Sequence, residues 1–392
     1  MGHLRIKILR NRRRQRVKND TVKRVLGILA MAAAAAVLII VAILTRGDAA
    51  PEKDVSGNSL TMRDFTMGSA LSVTLYGETD HLETVSQRVI EKIRDLDENV
   101  ISWRSDNSEL ARWNRTAKEG EKVQISNTLC KAVSSGILLW EKSGYVLDLT
   151  IRPLLDVWGI ESGDPNTFQV PAEEELAAAA EHLGMWEIYA EEKEMSRGHE
   201  DIVLDLGAVG KGYALDIAYD FLTLGDHSAP DFNVNELRSG RESTVTGGVL
   251  AVGGSVMVFG SKPEGGSFQV GVRDPEGQPD DILGTLTLSP GAGRICVSTS
   301  GGYEKYIEKD GVRYHHIIDP RTLKPADSGL KSVTVVCENG LVSDGLSTAL
   351  FILGEDDTQE LLEYYHAEAV FVREDGSISV TDGLKDVWHE LK

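Results

Sequence analysis

Residues 25–44 (VLGILAMAAAAAVLIIVAIL) run for twenty positions without a charge. As a helix, at 1.5 Å per residue, such a run spans about 30 Å, the thickness of a bilayer's hydrocarbon core. It has no polar face, so it does not read as a buried helix of a soluble domain. It predicts one N-terminal transmembrane helix over residues 25–45. A cleaved signal peptide is the alternative, with Asp48-Ala49-Ala50 as a weak cleavage site, although signal peptides carry shorter apolar cores of about 7–15 residues. No cysteine follows the run closely, which excludes a lipoprotein anchor.

Charge sets the orientation of that anchor. Residues 1–24 hold ten Lys/Arg and one acid, Asp20, a net of +9 against −20 for the whole chain, which leaves −29 for the rest. The basic head precedes the span, so the positive-inside rule puts the N-terminus in the cytoplasm and the body outside it. An acidic body is a poor partner for nucleic acid, which needs cationic surface. Cys130, Cys296 and Cys337 lack any C-x-x-C spacing, so neither a disulfide scaffold nor a zinc module is expected.

The chain divides into a basic segment (1–24), the anchor (25–45), a polar linker (46–58) and one folded domain (59–392). Residues 59–76 read as strand, broken at Gly68. Residues 79–99 read as an amphipathic helix with Leu82, Val85, Val89, Ile93 and Leu96 on one face. Ser126 or Asn127 caps a helix to about Glu141, and Pro171 opens another that ends by Gly184. Residues 202–206 read as a strand feeding a helix over 207–222, and 224–247 as a polar insertion without period. Strands dominate 249–336. Helices follow at 343–353 and 358–365, then a hairpin at 367–381. Helices and strands mix without strict alternation, which predicts an α+β fold with mixed or antiparallel sheets flanked by helices.

Several segments carry chemistry. DLGAVGKGYALD (205–216) joins strand to helix through glycines, a geometry that brings backbone N–H groups to a phosphate, yet it matches neither G-x-G-x-x-G nor the Walker spacing. It is equally a tight structural turn. Asp344 and Thr348 lie four apart, so a helix puts a carboxylate and a hydroxyl on one face, as Mg²⁺ favours. A helix-terminal Asp beside a buried Thr explains the same spacing. HHIIDP (315–320) offers two histidines, either a proton acceptor or a strand end. STSGGY (298–303), VGG (252–254) and TMGS (66–69) are Gly-bearing turns. LDLTIRPLLDVWG (147–159) sets Asp148, Arg152 and Asp156 in an apolar context; paired carboxylates would suit a glycosidase.

Taken in order, TMGS, ISWRSDNSELARWN, LDLTIRPLLDVWG, DLGAVGKGYALD, VGG, VSTSGGYEKY, HHIIDP and SDGLSTALFILG resemble the FAD:protein FMN transferase (ApbE) family, from about Phe65 to Gly354. The resemblance implies FAD as substrate, a Mg²⁺ ion, and a target protein whose Thr or Ser receives FMN as AMP leaves. It assigns the metal to the backbone oxygen of Ala208 with Asp344 and Thr348. It assigns flavin and adenine contacts to Met67, Trp103, Val146, Leu147, Asp148, Asp205, Lys211, Ile318 and Ser347, and the base to His316 rather than His315. The chain departs from the family pattern at TLKPA after the Asp-Pro, at Ser255 after the VGG turn, at Leu147 and in the length of 224–247. With water as acceptor the same site would be an FAD pyrophosphatase, and without chemistry an extracytoplasmic FAD-binding protein.

Overall fold

A computed structural model describes residues 52–77, 79–160, 165, 167–224, 245–278, 280–356 and 358–391. The basic head and the expected anchor lie outside the described residues, as do residues 225–244 of the expected insertion. Among the described residues no helix is long and apolar enough to cross a membrane.

One nine-stranded sheet organises the domain, and its strands are numbered here in chain order. They are β1 (Glu52–Ser56), β2 (Ser59–Thr66), β3 (Ser69–Gly77), β4 (Val245–Val252), β5 (Ser255–Gly260), β6 (Arg294–Gly301), β7 (Leu330–Cys337), β8 (Glu368–Arg373) and β9 (Ile378–Val380). Spatial order follows chain order, and every neighbouring pair is antiparallel. The sheet is thus a meander with excursions. The longest, between β3 and β4, carries α1 (Thr79–Asp95), α2 (Glu109–Thr116), α3 (Asn127–Lys142), α4 (Arg152–Trp158), α5 (Glu173–Ala180) and α6 (Gly210–Leu224); α7 (Gly340–Leu353) and α8 (Gln359–Tyr365) lie between β7 and β8.

Alternation along the strands sorts side chains to two faces. Leu71, Val73 and Leu75 of β3 join the helices in the main core. Val258, Val297, Val336 and Val370 point the other way, into a second core shared with a small sheet of Phe268–Arg273, Ile282–Leu288 and Trp388–Glu390. With both faces covered, β7 is buried at nearly every position. A third cluster packs α4 and α5 against Ile307 and Ile318. Helix α7 is buried along most of its length, which is why it reads as apolar without a clean stripe.

Four expectations change. The linker ends earlier, because Glu52–Ser56 pairs with β2 as an edge strand. The helix from Thr79 stops at Asp95 and widens into a π-helical turn, Leu96–Ile101. Val245 to Gly247, placed in the insertion by their polarity, open β4. Residues 202–206 are no strand: Asn114 pairs through its amide with both Leu204 N–H and C=O, each at 2.9 Å, and Arg197 donates to the Ile202 carbonyl at 2.5 Å. Side chains meet the backbone needs of this segment where a ladder was expected, while Ile202, Leu204 and Leu206 still turn into the core.

Candidate active site

The β2–β3 hairpin closes through Met67 and Gly68, both with positive φ (53° and 67°). That is the signature of a type I′ turn, which favours Asn-Gly. Holding methionine there costs about 1–2 kcal/mol, so its side chain has a reason to be present. Asp97, on the π-helical turn, accepts from Met67 N–H at 2.8 Å and from Thr66 Oγ1 at 3.2 Å.

Across the cavity from 145 to 150 the chain turns back at Tyr145 (φ 72°), and Val146 and Leu147 are buried. The Asp148 carboxylate takes Thr150 N–H at 2.7 Å and Thr150 Oγ1 at 2.5 Å. Burial holds its pKa above the usual carboxylate value, although the Thr150 bonds oppose this. Arg152, at the start of α4, lies 3.8 Å over the Trp103 ring and 3.6 Å from Asp205 Oδ2, and its Nε donates to Asp156 at 2.8 Å. Asp148 and Asp156 therefore have separate partners.

Helices α6 and α7 meet at their first turns with almost no space between them. A Cβ on Gly212 would sit 1.9 Å from the Gly340 oxygen, and one on Gly340 would sit 2.2 Å from the Gly212 oxygen. Each helix receives an acid from the other. Asp344 of α7 accepts from Gly212 N–H at 2.9 Å, and Asp216 of α6 accepts from Gly340 and Leu341 N–H, each at 2.9 Å. Carboxylates at helix N-termini also gain from the macrodipole. Burial raises the Asp216 pKa, with Arg294 at 3.2 Å working against it.

Asp344 is buried, with Oδ1 taking Ser255 Oγ at 3.0 Å and standing 3.5 Å from Lys211 Nζ. Burial alone would lower the Lys211 pKa, but Asp344 and Glu304 outweigh it and the net shift is upward. A ladder of hydroxyls joins β6 to α7. Ser298 bonds Ser343 at 2.8 Å, and Ser300 bonds both Ser347 at 2.8 Å and Thr348 at 3.0 Å.

The two histidines differ sharply. His315 is buried, with Nε2 on the Ala326 carbonyl at 3.0 Å and Nδ1 taking Ile317 N–H at 3.3 Å. Both nitrogens are satisfied in the neutral ring, and burial lowers its pKa. His316 is half-buried beyond the end of its strand, with Nδ1 3.3 Å from the Lys305 carbonyl. A carbonyl only accepts, so the neutral tautomer that keeps this bond has its proton on Nδ1 and its lone pair on Nε2.

Met67, Trp103, Val146, Leu147, Asp148, Asp205, Ala208, Lys211, His316, Ile318 and Thr348 line one cavity. Two expected members do not. Asp344 lies beneath Lys211, and Ser347 is fully buried behind Ser300, with Oγ on the Asp344 carbonyl at 2.8 Å. Sequence reasoning missed Asp97, Ser300 and Glu304 in the same wall. For Ser300 a signal existed: hydroxyls at every second position of β6 facing hydroxyls four apart on α7. Carboxylate, hydroxyl and backbone carbonyl at Asp344, Thr348 and Ala208 are all hard oxygen donors, which fits Mg²⁺. Among the described residues no group of three or more His, Cys, Asp or Glu side chains is placed to hold a metal, so such a site would draw further ligands from water or substrate.

Residues 67–371 match the model of the ApbE family. An FAD:protein FMN transferase of Vibrio cholerae is 25% identical over 326 residues, covering 82% of this chain and 88% of its own. One of Salmonella typhimurium is 27% identical, covering 83% and 88%. The crystal structure of an ApbE protein from Thermotoga maritima superposes with a TM-score of 0.70 at 27% identity, over 84% of this chain and 99% of that one. The flavinyl transferase ApbE of Pseudomonas stutzeri superposes with a TM-score of 0.66 at 25% identity, over 86% and 97%.

Proposed function

The chain belongs to the ApbE family, and from that premise we propose that it moves the FMN part of FAD onto a Thr or Ser hydroxyl of a target protein in a Mg²⁺-dependent reaction. The acceptor oxygen forms a bond to the FMN phosphorus. The pyrophosphate bridge breaks, and AMP leaves with the bridging oxygen. The hydroxyl proton passes to Nε2 of His316. The observation that carries this reading is the convergence of Lys211, Thr348 and His316 on one cavity with Asp344 directly beneath Lys211.

Transfer of a phosphoryl-type group needs mostly placement and charge. Mg²⁺, held by Asp344, Thr348 and the Ala208 carbonyl, would supply the positive charge that offsets the pyrophosphate. Lys211 adds its ammonium to the same region. Ser255 and Gly212 N–H fix the Asp344 carboxylate, and Ser300 orients Thr348. Val146, Leu147, Ile318 and Met67 give an apolar wall to a flavin, while Trp103 offers a ring to stack on. The basic head and apolar span anchor the enzyme in the membrane with this domain outside the cytoplasm, facing extracytoplasmic redox proteins that carry the flavin.

Release of AMP from FAD, followed with and without a Thr-bearing acceptor domain, tests the reading. AMP formation that depends on the acceptor supports transfer. AMP formed equally without it makes the protein an FAD pyrophosphatase, and none in either case makes it a flavin-binding protein.

A further inference from the structure

We infer that Asp97 is a positioning residue that holds Met67 in its left-handed turn so that the thioether forms part of the flavin-binding wall. This rests on reading the cavity as the FAD site.

The backbone at Met67 is one that asparagine or glycine would adopt more easily, with φ of 53°. What keeps methionine there is local. Asp97 Oδ2 takes its N–H at 2.8 Å and the hydroxyl of the preceding Thr66 at 3.2 Å. Asp97 can reach the hairpin because α1 opens into a π-helical turn at Leu96–Ile101, a distortion that recurs at functional sites. The same turn ends in Ile101, which reaches the same residue of α6 as the methionine. A Cβ on Gly210 would lie 3.2 Å from Ile101 Cδ1 and 3.3 Å from Met67 Cε. The thioether therefore reaches to the first residue of α6, two positions after Ala208. One turn of helix supplies both the carboxylate that fixes the Met67 backbone and an apolar side chain that reaches the same glycine, Gly210. Arg94, one turn earlier, is tied to Asp64 of β2 at 2.6 Å, a second link between this helix and the hairpin.

The test is a double-mutant cycle on FAD affinity, using the full-length chain and FAD titration by flavin fluorescence, with Tm measured alongside. Asp97→Ala is expected to weaken FAD binding about tenfold, and Met67→Gly about as much, with the double variant no weaker than the worse single, because both remove one placement. Asp97→Asn keeps a carbonyl acceptor and should stay within about threefold of wild type. Met67→Asn suits the turn, so its Tm should equal or exceed that of wild type while its affinity falls; if Asp97→Ala does not fold, Asp97→Ser, which shortens the acceptor out of reach of Met67 N–H, takes its place in the cycle. In transfer assays the loss should fall on KM for FAD and spare kcat. Additive losses, or an affinity unchanged by Asp97→Ala and Met67→Asn, would overturn the inference. If wild type itself fails to bind FAD, the reading of the cavity falls and this inference with it.

Discussion

Adjacent in the chain, His315 and His316 have opposite surroundings. His316→Asn should lower flavin transfer by about 10²- to 10⁴-fold, the usual worth of a general base, and leave FAD affinity nearly unchanged in a binding titration. His315→Asn should keep transfer per folded molecule but lower Tm, because it disturbs a buried ring bonded on both sides. A sign follows for stability. Burial lowers the His315 pKa from its ordinary 6.5, so its contribution is complete above that pH and is lost as pH falls below it. Thermal melts between pH 7.5 and 5 should show a fall in Tm that is shallower in His315→Asn; an equal fall in both would place the titration elsewhere. The sequence distinguishes the two rings only through alternation and family register. It does not show that His316 lies past the strand end, or that Ser300, two positions from Ser298, shares the hydroxyl of Thr348.

Helices α6 and α7 are the elements on which the site stands. Their glycines and acids are legible as motifs, but their reciprocal use is not, because Gly212 and Asp344 lie 132 residues apart. Gly212→Ala should destabilise the fold by about 3 kcal/mol or more, since backbone on backbone has no room to yield. Asp344→Ala would also orphan a buried N–H at a cost of about 1–3 kcal/mol, so Asp344→Asn is the cleaner probe. It keeps an acceptor for Gly212 and should hold Tm within a few degrees while transfer at limiting Mg²⁺ is lost. Thr348→Val should raise the Mg²⁺ needed for half-maximal transfer. Full activity of both variants at limiting Mg²⁺ would exclude these ligands. The alternation of Ile202, Leu204 and Leu206 reads as a strand for sound reasons of burial. What it cannot reveal is the Asn114 side chain, 90 residues away, standing in for a neighbouring strand.

At the scale of the molecule, chain order and sheet order coincide, and the excursions after β3, β6 and β7 each deliver part of the cavity wall. Strand-rich and helix-rich stretches are readable from periodicity, so the α+β class is too. The nine-stranded antiparallel sheet is not, because long excursions hide which strands are neighbours. The net +9 of residues 1–24 beside the apolar run predicts that a C-terminal fusion to a reporter fluorescing only in the cytoplasm stays dark; a bright fusion would reverse the topology. The proposed work of this cavity is to attach flavin to protein. Incubation with FAD, Mg²⁺ and an acceptor domain, followed by denaturing electrophoresis and in-gel flavin fluorescence, tests it directly. A fluorescent acceptor band is expected, and it should disappear when the acceptor Thr is changed to Ala, or when His316→Asn replaces the wild type. An acceptor that stays dark while FAD is consumed would contradict it.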